Sequence, residues 1–236
     1  MPNISRFLNT MQVSNTIPIP VIAIDGPSAS GKGTVATRVA NQLGYHYLDS
    51  GALYRIVAFL THQQHIDWQD EVAVAQCAMQ LDIRFESEQI IVNQTNVTNA
   101  IRTELMGKGA STVAVHPKVR AALIDVQHNF RKAPGLVADG RDMGTVIFPD
   151  AFVKVFLTAS TEIRAQRRYE QLLKNQSIEN VSYDSILTDL KTRDARDQNR
   201  ESAPLIIAQS AVTINTDQLS IDATVQHILN LVKENS

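Results

Sequence analysis

The segment Gly26-Pro27-Ser28-Ala29-Ser30-Gly31-Lys32-Gly33-Thr34 constrains this chain more than any other. An apolar run over residues 21–25 leads into it, and a helical pattern over residues 34–43 follows. Strand, glycine-rich turn and helix in that order make a phosphate-binding loop. Glycine removes the Cβ where successive backbone N–H groups must curl around an anion. The helix start adds its unpaired N–H groups and the positive end of its dipole. Lys32 brings a mobile charge to the β- and γ-phosphates. Residues 26–34 are therefore expected to bind a nucleoside triphosphate.

In the general form of this loop the residue after the lysine is Ser or Thr, and its hydroxyl holds Mg²⁺. Here that residue is Gly33, and the hydroxyl arrives one position later at Thr34. Gly-Lys-Gly-Thr resembles the loop of nucleoside monophosphate kinases, where magnesium is held through waters and phosphates. The departure argues against a GTPase and for a small kinase.

Five apolar runs, residues 21–25, 45–49, 136–139, 153–158 and 211–215, predict a buried parallel sheet. Each ends in an acidic or polar residue, where the carboxyl edge of a sheet meets its ligand. Between them, residues 34–43 (closed by Gly44), 52–62, 119–130 (after Pro117) and 221–232 carry helical apolar stripes. The period changes between Leu81 and Arg102: residues 82–86 and 89–92 read as short antiparallel strands, with Val97 marking a third. The expected fold class is α/β: a P-loop NTPase core with a five-stranded parallel sheet, an inserted substrate-clasping subdomain and a helical lid. Residues 1–17 read as a mobile extension and 18–236 as the kinase domain, with the insertion near 76–106 and the lid near 164–200.

Several classes are excluded. The formal net charge of −2 supplies no basic field for nucleic acid. No stretch approaches the roughly 20 apolar residues of a membrane span, and residues 1–16 hold no signal core. The single cysteine, Cys77, permits no internal disulfide; it fits a reducing cytoplasm and sits in a helical pattern as a small core residue. The six histidines show no metal-ligand spacing. With the core assigned, no apolar stripe is left over, so a monomer is expected.

Three charged constellations remain. Asp49-Ser50-Gly51-Ala52-Leu53-Tyr54-Arg55 follows the second strand: Asp49 or Ser50 caps the next helix, and Arg55 is either a surface residue or a phosphate ligand. Asp139-Gly140-Arg141-Asp142-Met143-Gly144-Thr145 ends the third strand, where P-loop enzymes place the acid that organises Mg²⁺, here Asp139, acting through water. The alternative there is a charged turn with Arg141 paired to Asp142. Arg164, Arg167 and Arg168 share one helix face, and Arg193, Asp197 and Arg200 fall at i, i+4 and i+7. Phosphoryl transfer needs fixed positive charge around the moving group, and arginine supplies it as a planar fork. A solvated face laced with i,i+4 pairs accounts for Asp194 and Arg196, but less well for two arginine clusters.

Nearly the whole chain, from about Ile19 to Lys233, resembles the bacterial cytidylate kinases. The likeness rests on residues 24–34, on Leu48-Asp49-Ser50-Gly51-Ala52-Leu53-Tyr54-Arg55, on Ala138-Asp139-Gly140-Arg141-Asp142-Met143-Gly144-Thr145 with Phe148-Pro149-Asp150-Ala151, and on residues 193–200 followed by Ala203-Pro204-Leu205. The resemblance implies transfer of a phosphoryl group from ATP, with Mg²⁺, to CMP or dCMP. It implies that Ser111, Arg120 and Asp142 read cytosine, and that Arg193 and Asp197 hold the ribose. Arg55, Arg141 and Arg200 would take the acceptor phosphate, with Ser50 in the same site. Arg164, Arg167 and Arg168 would close over the transferring group alongside Lys32. Two rivals stay open: a kinase for UMP, AMP or shikimate, and an ATP-binding switch with no acceptor.

Overall fold

The computed structural model describes residues 18–86, 89–174 and 182–235. The extension expected over residues 1–17 lies outside them. In chain order the first elements are β1 (Val21–Asp25), α1 (Lys32–Leu43), β2 (His46–Asp49), α2 (Ser50–Gln63) and α3 (Glu71–Met79). A small antiparallel group follows: β3 (Ile83–Glu86), β4 (Gln89–Val92) and β5 (Thr95–Asn96). A 3₁₀ turn (Ala100–Arg102) then leads to α4 (Glu104–Val113) and α5 (Pro117–His128). The chain returns to the main sheet with β6 (Leu136–Gly140), a π turn (Met143–Ile147) and β7 (Val153–Thr158). It ends with α6 (Thr161–Lys174), α7 (Tyr183–Asn199), β8 (Val212–Asn215) and α8 (Ile221–Asn235).

The main sheet is parallel with the order β2-β6-β1-β7-β8. All five residues of β1 are buried, because this central strand is covered on both faces. Its side chains alternate between two cores, as the period of a strand requires. Val21 and Ala23 join Leu48, Leu53, Val113 and Leu123 on one face. Ile22 and Ile24 join Val35, Val39, Val155 and Ile228 on the other. Removing each of these isoleucines from water contributes about 1.5–3 kcal/mol, so β1 is fixed in register and carries its carboxyl end to one defined place.

Local signals set the boundaries. Gly44 ends α1 with φ +66°, a left-handed conformation that costs glycine little. Asp49 caps α2 by accepting the Ala52 N–H, and Pro117 begins α5. The third inserted strand is β5 at Thr95–Asn96, not Val97. Val97 instead turns its side chain into the core while its N–H still donates to the Ile90 carbonyl. Among the described residues the inserted sheet shares no strand pairing with the parallel one. Helices α6 and α7 pack on each other through Ala165, Leu172, Ile186 and Leu190, a cluster separate from both main cores.

Candidate active site

The loop after β1 is shaped by two glycines. Gly26 has φ +153°, and a Cβ there would lie 2.0 Å from the Leu157 carbonyl oxygen of β7, so only glycine lets the chain leave the sheet at this point. Gly31 has φ +87° and opens α1. Lys32 is buried, with Nζ donating to the Pro27 carbonyl at 3.1 Å, which folds the lysine back over its own loop. Burial lowers the Lys32 ammonium and raises the Asp139 carboxyl, and the attraction between the two opposes both shifts.

The neighbouring strand ends supply the rest. The register pairs Asp49 of β2 with Asp139 of β6. Ser50 Oγ donates to the Asp139 carbonyl at 2.8 Å, and Tyr47 Oη donates to Asp139 Oδ1 at 2.6 Å. Burial and the two nearby aspartates push the Tyr47 phenol up, which keeps its hydroxyl a donor. Arg55, on α2, donates through Nη1 to the Ile101 and Thr103 carbonyls at 2.9 and 3.0 Å. It is thus no free surface arginine: it is held against the start of α4.

The turn after β6 is anchored from β1. Asp25 accepts the Met143 and Gly144 N–H groups, each at 2.8 Å. The following charges do not form the simple turn pair considered from sequence. Arg141 Nε donates to Asp197 Oδ2 of α7 at 2.7 Å, while Asp142 pairs with Arg120 of α5, both deeply buried. Arg200 Nη2 stands 3.7 Å from Asp142 Oδ1. Burial raises Asp142 even against Arg120. Burial would raise Asp197 too, but the charge and hydrogen bond of Arg141 hold it below its ordinary value. Burial, reinforced by Arg141, lowers Arg193 to about 10.

One cavity of about 170 Å³ is lined by Ser50, Arg55, Ser111, Arg120, Arg141, Asp142, Arg193, Asp197 and Arg200, with Lys32 and Asp139 on its wall. Nine residues chosen from sequence thus share one space. Two buried donor atoms of its arginines, Arg193 Nε and Arg200 Nη2, have no hydrogen-bond partner among the described residues.

The three arginines of α6 separate. Arg164 is buried, spans to both carboxylate oxygens of Asp194 on α7, and donates to the Ser28 carbonyl at 3.1 Å. Arg167 bonds to Thr216. Arg168 pairs with Glu104 of α4. Arg167 and Arg168 line a cavity of about 580 Å³ together with Ala29, Ser30, Gly31 and Thr34 of the loop. Asp194 and Arg196 do not belong to a solvated, ion-paired helix face: Asp194 reaches α6, and Arg196 Nη1 donates to Ser111 Oγ at 2.8 Å. Helix α7 faces α4 and α6, so its charges are used between helices.

Among residues not chosen from sequence, Tyr54 lines the cavity, Asp25 anchors the turn after β6, Tyr47 bonds Asp139 and Arg196 bonds Ser111. The alternation of a strand held the signal for one of them, since Tyr47 and Asp49 sit two apart on β2 and so share a face.

A strand–loop–helix phosphate cradle on a parallel sheet, with Lys32 and an arginine-lined cavity at its carboxyl edge, defines a P-loop phosphotransferase. The family model for cytidylate kinase matches residues 22–234. The cytidylate kinase of Polynucleobacter asymbioticus is 53% identical over 212 residues, covering 90% of this chain and 96% of that protein. That of Burkholderia vietnamiensis is 52% identical over 212 residues, covering 90% and 92%. The chain belongs to the cytidylate kinase family.

Proposed function

We propose that this chain transfers the γ-phosphoryl group of ATP to CMP or dCMP, giving ADP and the nucleoside diphosphate. The observation that carries this reading is the single cavity in which a carboxylate, a hydroxyl and several arginines converge beside Lys32. Ser111, Arg120 and Asp142 match the donor and acceptor pattern of cytosine. Arg193 and Asp197 hold the ribose, Arg55, Arg141 and Arg200 take the acceptor phosphate, and Ser50 lies in the same site. Residues 26–34 cradle ATP. The insertion near 76–106 clasps the acceptor, and residues 164–200 close as a lid with Arg164, Arg167 and Arg168; of these, 175–181 lie outside the described residues.

An oxygen of the CMP phosphate attacks the γ-phosphorus, and the bond from that phosphorus to the ADP oxygen breaks in line. The attacking oxygen is already ionised at neutral pH, so no strong general base is needed. Lys32 and the arginines stabilise the charge spread over the moving group, and closure keeps water from replacing CMP. The residues beside the loop fit Mg²⁺: Asp139, Asp49 and Tyr47 offer hard oxygen atoms, and among the described residues no cluster of three ligating side chains would cage the ion outright. Asp139 would hold it through water, and bound there Mg²⁺ would neutralise phosphate charge. The lone Cys77 supports a cytoplasmic setting.

The test is ADP formation from ATP and Mg²⁺ with CMP, dCMP, UMP, AMP or no acceptor. Stimulation by CMP and dCMP alone is expected. Stimulation by UMP or AMP would overturn the base-reading trio, and acceptor-independent turnover would overturn the transfer.

A further inference from the structure

Position 33 lacks the hydroxyl that the general loop gives to its metal. Apart from its chain neighbours and its own helix, a Cβ built on Gly33 would meet one group within 4 Å among the described residues: the Tyr47 hydroxyl, 3.6 Å away. That hydroxyl arrives from β2, on the neighbouring side of the site, and donates to Asp139 Oδ1 at 2.6 Å. Gly33, Tyr47 and Asp49 line one cavity of about 960 Å³. Asp49 also lines the smaller cavity that holds Lys32 and Asp139. The phenol therefore stands between the loop and the acid, next to the space a Ser or Thr side chain at position 33 would use.

We infer that Tyr47 is a positioning residue that supplies from β2 the metal-orienting hydroxyl missing at position 33. It aims Asp139, and its oxygen lone pairs accept from a water of the Mg²⁺ shell. This rests on the ATP·Mg²⁺ reading above. Mg²⁺ sheds water reluctantly and is held largely through its shell, so a fixed oxygen one layer out governs how tightly the site takes it.

The experiment compares dissociation constants of a non-hydrolysable ATP analogue, with Mg²⁺ and with EDTA, for the parent chain, Tyr47→Phe, and Tyr47→Phe combined with Gly33→Ser. Phenylalanine keeps the ring and removes one oxygen. Serine fits at position 33, where only ordinary contact awaits its Cβ. Tyr47→Phe should weaken binding about tenfold with Mg²⁺ and leave the EDTA constant unchanged. Adding Gly33→Ser should restore the Mg²⁺ value. Equal constants for parent and Tyr47→Phe with Mg²⁺, or equal losses with Mg²⁺ and EDTA, would overturn the inference, as would failure of the serine to restore binding. A parent chain that binds the analogue in neither condition would instead overturn the ATP reading itself.

Discussion

Arg141 Nε donates to Asp197 Oδ2 at 2.7 Å, joining the turn after β6 to helix α7. The pair couples the sheet edge to the arginine-rich helix, and it fixes two side chains that face the same cavity. Burial alone would raise the Asp197 carboxyl, but Arg141, with Arg200 and Arg193 beside it, holds it below the ordinary carboxylate value.

Asp197→Asn keeps the shape and removes the charge that aligns Arg141. A hydrogen bond to a charged group contributes about 1.5–3 kcal/mol, so the KM for CMP should rise by about tenfold or more. The KM for ATP should change little. Initial rates with each substrate varied in turn decide the matter, and an equal rise in both constants would count against a role on the acceptor side.

Arg120 and Asp142 form a pair that is almost wholly buried. Removing one member of such a pair costs about 3–5 kcal/mol, because the other charge is left in the core. Arg120→Met should therefore lower stability by that order, although Arg200 at 3.7 Å relieves part of it. Changing both residues, Arg120→Met with Asp142→Leu, should recover much of the loss. Urea unfolding of the parent, Arg120→Met, Asp142→Leu and the double variant gives the coupling. If the double variant loses the sum of the single losses, the two side chains do not act on one another.

Lys32→Ala removes the charge folded over the loop while leaving the helix start intact. Turnover should fall by roughly 10²–10³-fold, the scale of losing one preorganised electrostatic group. Far-ultraviolet circular dichroism should be unchanged. Turnover within a factor of two of the parent would remove Lys32 from the chemistry.

Much of this was legible in the sequence, for reasons tied to particular residues. The strands of the parallel sheet are short continuous apolar runs, and Gly26, Gly31 and Gly44 punctuate them in places where the backbone demands glycine. Of the acceptor-side residues, Ser50, Arg55, Arg141 and Asp142 stand in motifs that follow strand ends, which converge in this fold. By contrast, Ser111, Arg120, Arg193, Asp197 and Arg200 lie on or at the end of helices and were reached as acceptor-side residues only through the family resemblance. What stayed hidden was pairing across elements. Spacing alone puts Asp194 beside charges of its own helix, whereas Asp194 reaches Arg164 on α6. Tyr47 reads as one more residue of a strand until the register brings Asp139 alongside it. Helix α4 carries two glycines, Gly107 and Gly109, which weaken its helical signal. Yet Gly107 leaves room for Arg55, and Gly109 for Trp68.

Asp25 ends the central strand, buried, with two backbone N–H groups on its carboxylate. Burial outweighs those bonds and raises its pKa from 3.8 to about 6. A carboxyl that holds its proton more tightly when folded contributes stability that is full at low pH and is lost as the pH rises through its folded value. Over that interval the loss is about 3 kcal/mol at most. Asp25→Asn removes the titration. The unfolding free energy of the parent minus that of the variant should therefore decline from about pH 4 to about pH 6.5 and then level off. Urea unfolding of both chains across that range measures it. A difference that rises with pH would mean that the two N–H groups outweigh burial, and that Asp25 anchors the Arg141–Asp142 turn as a carboxylate even in mild acid.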